Sequence, residues 1–254
     1  MNSRLKRALL WLLGAVLVAA LFALAAGVSW GTHPLGPTQS ALAALASDSS
    51  VRVAHAADGW EFTPPSAEPS SALVFYPGGH VDARSYAPYA RAVAARGYLV
   101  VIAEMPLSLA VLAPDSATKV ISAHPNVTHW TIGGHSLGGA MAASYAAKHA
   151  NSIRGLVLLA AYPPAGSELR LNGIVALTQV GTLDTVINRA NLESGLKQLP
   201  SDATFEQLQG GNHAQFGDYG LQPGDDPHPT MPAAEQLRRA ADGTTKVLAS
   251  VAAL

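Results

Sequence analysis

From Ala72 to Leu208 the chain repeats one pattern: a short apolar run, a turn, then a stretch of helix-forming residues. The runs are Ala72 to Tyr76, Tyr98 to Ala103, the segment entering Gly133, Gly155 to Ala160, Ile174 to Val180 and the shorter Thr204 to Leu208. Between them, helices are expected at Ser85 to Arg96, within Leu107 to Ala123, directly after Ser136 and over Asn188 to Leu199, with Ala233 to Ala240 heading a closing helix. Strands apolar on both faces must be covered on both, and a helix between successive strands is a crossover. The pattern therefore specifies the α/β class, a mostly parallel sheet with helices on both faces. Val51 to Ala54 and Trp60 to Thr63 read as opening strands, and Pro64 to Pro69 as a loop, because proline neither donates to a ladder nor continues a helix.

In such sheets function collects at the carboxyl ends of the strands. The run Trp130-Thr131-Ile132-Gly133 leads into Gly134-His135-Ser136-Leu137-Gly138-Gly139, and small helix formers follow. This is strand, sharp turn, helix, with a G-x-S-x-G pentapeptide at the turn. A serine held in an unfavourable backbone region needs neighbours without Cβ, and the helix that follows aims its first amides at the place where negative charge would develop. The pentapeptide alone also fits a glycine-rich turn of another α/β fold. Its surroundings must carry the argument.

Two further strand ends supply what a serine nucleophile requires. After Ile174 to Val180 comes Gly181-Thr182-Leu183-Asp184, a turn that presents a carboxylate; after Thr204 to Leu208 comes Gln209-Gly210-Gly211-Asn212-His213, a loop that presents an imidazole. A serine hydroxyl is a poor nucleophile at neutral pH, and an imidazole has the intrinsic pKa to take its proton and return it. The candidate catalytic residues are thus Ser136 as nucleophile, His213 as base and Asp184 as the group that fixes the His213 tautomer. Of the nine histidines, His135 lies in the turn and points away from the attack direction, while His228, between two prolines, is the alternative base. For the oxyanion hole, the run ending at Tyr76 opens into Pro77-Gly78-Gly79-His80, which offers the backbone N–H of Gly79, or alternatively of His80, to pair with that of Leu137.

The motifs Tyr76-Pro77-Gly78-Gly79, Gly133 to Gly139, Gly181 to Asp184 and Gly210-Gly211-Asn212-His213-Ala214-Gln215-Phe216-Gly217-Asp218-Tyr219-Gly220 together resemble the small, lidless α/β-hydrolases related to dienelactone hydrolases, in a serine-nucleophile bacterial branch that often carries a membrane segment. The resemblance spans Val51 to Leu254. It implies an α/β-hydrolase fold without a cap domain, the triad Ser136, Asp184 and His213, and cleavage of an ester-like bond. Dienelactone hydrolases proper use a cysteine nucleophile, and this chain has none, so the lactone substrate does not carry over. Between Ala161 and Asn172, where relatives insert a helical lid, only a short loop fits.

The N-terminus is basic at Arg4, Lys6 and Arg7, and Ala8 to Val28 holds no charge. That span is near the ~20 residues needed to cross a bilayer and longer than the ~7–15 of a signal-peptide core. The next Lys or Arg is Arg52, so the positive-inside bias leaves residues 1–7 in the cytoplasm, 8–28 as a transmembrane signal anchor, 29–50 as a linker with a short helix at Ala41 to Ala46, and 51–254 as an extracytoplasmic hydrolase domain. A cleaved signal peptide is the rival reading, since Ala23-Leu24-Ala25 has the small-x-small form of a cleavage site. A net charge of −1 offers nothing to attract nucleic acid, and the absence of cysteine excludes disulfides and thiolate metal sites.

The expectation is a single-pass cell-membrane serine hydrolase acting through an acyl-enzyme on a small or envelope-associated ester, without cofactor or metal. Glu104 and the Gly220 to His228 loop are candidate shapers of its site. Two alternatives stand beside it: a non-catalytic binding domain on the same fold, and an acyltransferase or perhydrolase that uses the same triad with another acceptor.

Overall fold

The computed structural model describes residues 3–65, 69–170 and 173–254. The elements run α1 (Ser3–Gly31), α2 (Gln39–Ala43), β1 (Arg52–Ala56), β2 (Gly59–Thr63), β3 (Ser71–Tyr76), α3 (Ala87–Ala94), β4 (Leu99–Ala103), α4 (Ser116–Ala123), β5 (His129–His135), α5 (Leu137–Lys148), β6 (Ile153–Leu159), β7 (Val175–Gly181), α6 (Arg189–Leu196), β8 (Thr204–Leu208) and α7 (Ala233–Ala252). All eight strands join one sheet in the order β1-β2-β4-β3-β5-β6-β7-β8. The β1–β2 hairpin and the β2–β4 pair are antiparallel, and every pairing from β4 to β8 is parallel.

Alternation along the central strands divides the core in two. Leu73 and Phe75 of β3 face a layer that includes Tyr86, Tyr89 and Val93 around α3 and Ala241, Leu248 and Val251 of α7. Val74 and Tyr76 face the other way, with Val120 of α4 and Ala142, Ala143 and Ala146 of α5. Successive side chains of a strand point to opposite faces, so unbroken apolar strands carry two cores at once.

Several expectations shift in detail. The first expected helix opens with a 3-10 turn over Ala83–Tyr86 before α3 begins, because Pro88 favours a helix start there. The stretch from Leu107 begins with two short 3-10 turns, and α4 is confined to its end. The closing helix runs on to Ala252, past Gly243, whose missing Cβ lets α7 lie close against Gln179 and Leu177 of β7.

The segment expected as a linker lies against the domain. Ala41 is fully buried, Leu35 forms an isolated bridge with Val81, and Arg91 reaches the carbonyls of Ala44 and Ala46 and, at 2.7 Å, the Asp48 carboxylate. Of the Pro64 to Pro69 loop, residues 66–68 lie outside the described residues, as do residues 1 and 2 of the basic tail and 171–172 of the segment after β6. Over 160–170, the described part of that segment, no helix forms.

From Trp11 on, helix α1 carries no charged residue and has no polar face to turn to water, and its side chains up to Trp30 are exposed. Within it, Trp11–Gly31 is 21 residues long with mean hydropathy 2.4, enough to cross a membrane.

Candidate active site

Strand register brings the four expected loops to one rim. Tyr76 at the end of β3 pairs beside Gly134 of β5, so the loop Pro77 to His80 lies next to the turn at Ser136. Gly181 of β7 pairs beside Leu208 of β8, which sets the Asp184 turn against the loop that leads to His213.

Ser136 sits between β5 and α5 with φ 52° and ψ −124°, a region that a residue with a Cβ occupies only under constraint. Its backbone is held on both sides. The Ser136 N–H donates to the Leu159 carbonyl at 3.0 Å, and its own carbonyl accepts from Ala140 N–H at 3.1 Å. A Cβ on Gly134 would stand 2.6 Å from the Gly138 carbonyl carbon, and one on Gly138 would overlap the backbone oxygens of Tyr76 and Pro77. Strand and helix cross so closely that both positions require glycine.

Asp184 is buried and each carboxylate oxygen has its own partner. Oδ1 accepts from the backbone N–H groups of Val186 and Ile187 at 2.9 and 2.8 Å, and Oδ2 accepts from His213 Nδ1 at 2.8 Å. With Nδ1 donating, Nε2 of the neutral ring is a bare acceptor. That nitrogen is buried and has no hydrogen-bond partner among the described residues. Ser136 and His213 line the same cavity of about 310 Å³, whose walls include Ala140, Ala160, Ala161, Val186 and Ile187. The structure thus brings Ser136, Asp184 and His213 together, and the available nitrogen of His213 lies on the side away from Asp184.

His135 is fully buried and joins the first loop to the last. Gly78 N–H donates to Tyr86 Oη at 2.9 Å, Tyr86 Oη lies 2.8 Å from His135 Nδ1, and His135 Nε2 lies 3.1 Å from the His213 carbonyl oxygen. Only one assignment satisfies this chain: Tyr86 donates to Nδ1, and Nε2–H donates to the carbonyl. Burial, with the nearby His213 ring adding to it, holds the His135 pKa well below the usual imidazole value, so the ring stays neutral. The same burial raises the Tyr86 phenol above its usual range.

Other supports were not foreseen from the sequence. Gln236 of α7, fully buried, accepts from Asn212 N–H at 3.1 Å and donates to the Asn212 carbonyl at 2.8 Å, clamping the residue before His213. Asp225 accepts from Ala214 N–H at 2.8 Å, just after His213, and Thr185 Oγ1 bonds the neighbouring Gly224 carbonyl at 2.9 Å. The Gly220 to His228 loop therefore ties the Asp184 turn to the His213 loop. These partners lie far away in sequence and form no motif; only the concentration of Gln, Asn and Asp around a candidate histidine could have flagged them.

Three expected residues take other places. His228 is exposed and does not line the cavity; its backbone N–H donates to Asp226 Oδ1 at 2.8 Å. Glu104 sits outside the cavity and bonds His55 Nε2 at 3.0 Å and Trp60 Nε1 at 3.1 Å. His80 N–H donates to the Ser108 carbonyl at 2.8 Å and so is already engaged. Gly79 faces Leu137, to the point that a Cβ added there would stand 3.0 Å from Leu137 Cδ2. Among the described residues no group of three or more His, Cys, Asp or Glu side chains is placed to hold a metal ion.

The sequence profile of the alpha/beta hydrolase family matches residues 72–238. No curated protein matches the chain in sequence. Among solved structures, the dienelactone hydrolase of Anabaena variabilis superposes with a TM-score of 0.58 at 16% identity, over 78% of this chain and 99% of that one. The predicted CIB-like hydrolase of Thermoplasma acidophilum gives 0.56 at 13% identity, over 77% and 99%. An esterase of Pyrobaculum calidifontis gives 0.56 at 15% identity, over 84% and 91%.

Proposed function

The chain belongs to the alpha/beta hydrolase family, and within it we propose a serine hydrolase that cleaves carboxylic esters through an acyl-enzyme. The observation that carries the reading is the His213 ring: one nitrogen is fixed by Asp184, the other is buried without a partner among the described residues, and the residue lines the same cavity as Ser136. A bare imidazole nitrogen on a ring that shares a cavity with a strained serine can accept the hydroxyl proton.

The chemistry follows from these positions. His213 Nε2 takes the proton of Ser136 Oγ as the oxygen attacks the ester carbonyl, and the carbonyl electron pair moves onto oxygen. The first-turn N–H of Leu137 and the N–H of Gly79 are the donors for that oxyanion. As the tetrahedral species collapses, the C–O bond to the alcohol breaks and the imidazolium returns its proton to the leaving oxygen. Water, deprotonated by the same nitrogen, then releases the acid and restores Ser136. Asp184 keeps its negative charge throughout and stabilises the imidazolium.

Helix α1 supports a single-pass anchor that holds the domain on the extracytoplasmic side of the cell membrane, with the basic residues Arg4, Lys6 and Arg7 inside. The test is labelling by a fluorophosphonate together with p-nitrophenyl acetate turnover, in the wild-type protein and in Ser136→Ala. Wild-type protein that neither labels nor turns over the ester would overturn the reading.

A further inference from the structure

The membrane-spanning helix ends against the active-site rim. A Cβ on Gly31, the last residue of α1, would stand 2.7 Å from Cβ of Leu107, in the loop that follows β4. One residue earlier, the Trp30 ring stacks on the His80 ring with centroids 3.9 Å apart and planes 8° from parallel. His80 follows the candidate oxyanion glycine Gly79, and its N–H bonds the Ser108 carbonyl of the same Leu107 loop. Leu109, next in that loop, approaches Gly79. No free tether separates helix from site.

Two independent features describe what surrounds this junction. His80, Leu107 and Ser108 all have positive φ, at 58°, 51° and 56°, so the backbone at the contact is constrained rather than loosely draped. Four of the six exposed large apolar side chains described between residues 51 and 254 also follow strand ends on this side, the other two being Phe205 and Leu254. Val111 and Leu112, after β4, are 52% and 53% exposed; Val186, after β7, and Leu221, after β8, are exposed as well. Water gives no reason to gather such residues around one rim.

A 21-residue helix spans ~32 Å, about the hydrocarbon thickness of a bilayer, so Trp30 falls at the headgroup level where tryptophan is favoured. The residues it touches must lie at that level too. We infer that the catalytic rim rests on the bilayer surface and that the enzyme acts on esters carried by bilayer-resident amphiphiles, of which only a small portion enters the cavity of about 310 Å³. The inference rests on the serine hydrolase reading for its chemistry, which is the same acyl transfer to Ser136 and then to water. Its geometry rests on the helix contact and on the exposed apolar side chains of the rim, not on that chemistry.

Two measurements on the full chain in phospholipid vesicles test it. The natural sequence has no cysteine, so Val111→Cys and Lys148→Cys each create a single labelling site, the second at the exposed far end of α5. A fluorophore at 111 is expected to be quenched by brominated lipid and shielded from iodide, and one at 148 the reverse; equal behaviour at the two sites overturns the inference whatever the activity. In the second, the ester is a phospholipid with a short acyl chain at one position, embedded in the vesicle. A ten-residue Gly-Ser insertion between Gly31 and Thr32 is expected to leave p-nitrophenyl acetate turnover unchanged and to lower vesicle-ester turnover by at least ~10-fold, because the site loses its effective concentration at the surface. An insertion variant that cleaves both as well as the wild type overturns it, as does a wild-type protein that cleaves only the soluble ester. Loss of fluorophosphonate labelling in the wild type would instead strike the hydrolase reading.

Discussion

His135 Nε2 lies 3.1 Å from the carbonyl oxygen of His213, so the residue before the candidate nucleophile holds the backbone of the candidate base. The ring is buried and its pKa lies well below the unfolded value near 6.5. Between those two values the unfolded chain binds a proton that the native chain refuses. The His135 contribution to stability is therefore complete above about pH 6.5 and falls as pH drops, by up to ~1.4 kcal/mol per pH unit. Urea denaturation from pH 7.5 to 5 checks this. His135→Phe should be less stable at pH 7.5, because the Tyr86 hydroxyl and the His213 carbonyl lose a partner at ~1–3 kcal/mol each, and should show a shallower pH dependence. Equal slopes in the two proteins would refute the neutral ring.

Ser136→Ala should abolish fluorophosphonate labelling and lower p-nitrophenyl acetate turnover by at least ~10³-fold without loss of thermal stability. Retained turnover would move the nucleophile elsewhere.

Asp184→Asn separates charge from architecture. The Asn carbonyl can still accept from Val186 and Ile187, as Oδ1 does now, but the amide placed at Oδ2 donates where His213 needs an acceptor. The ring then turns to the wrong tautomer. Turnover should fall by ~10³–10⁴-fold while the unfolding midpoint stays close to that of the wild type. A large stability loss with modest activity loss would make Asp184 chiefly a turn residue.

Gln236→Leu removes both bonds to the Asn212 backbone and leaves a buried N–H and C=O unpaired. Equilibrium unfolding should register a loss of ~2–5 kcal/mol, and the remaining folded enzyme should show a lower kcat at similar KM, since the cavity wall is untouched.

The alternation of apolar runs and helix formers made the parallel sheet legible, because a strand buried on both faces leaves no other arrangement. That Ser136, Asp184 and His213 share one rim was legible for a related reason: each follows the end of a parallel strand. Strand position set His213 above His228, and in the structure His213 bonds Asp184 while His228 is exposed. Tyr86, His135, Asp225 and Gln236 were not legible as a network, since hydrogen bonds across the fold leave no periodicity in the chain. The stretch before Val51 misled for the opposite reason. Its glycines, prolines and serines have linker composition, yet buried Ala41 and the Arg91 contacts pin it down.

The backbone angles of Ser136 carry a consequence for how such a protein changes under selection. Holding a β-carbon at φ 52° and ψ −124° costs about 1–3 kcal/mol, which glycine would not incur. Heat-resistance screening blind to turnover should therefore enrich glycine at position 136, and ancestral lines that lost their substrate should drift the same way, tougher and inert.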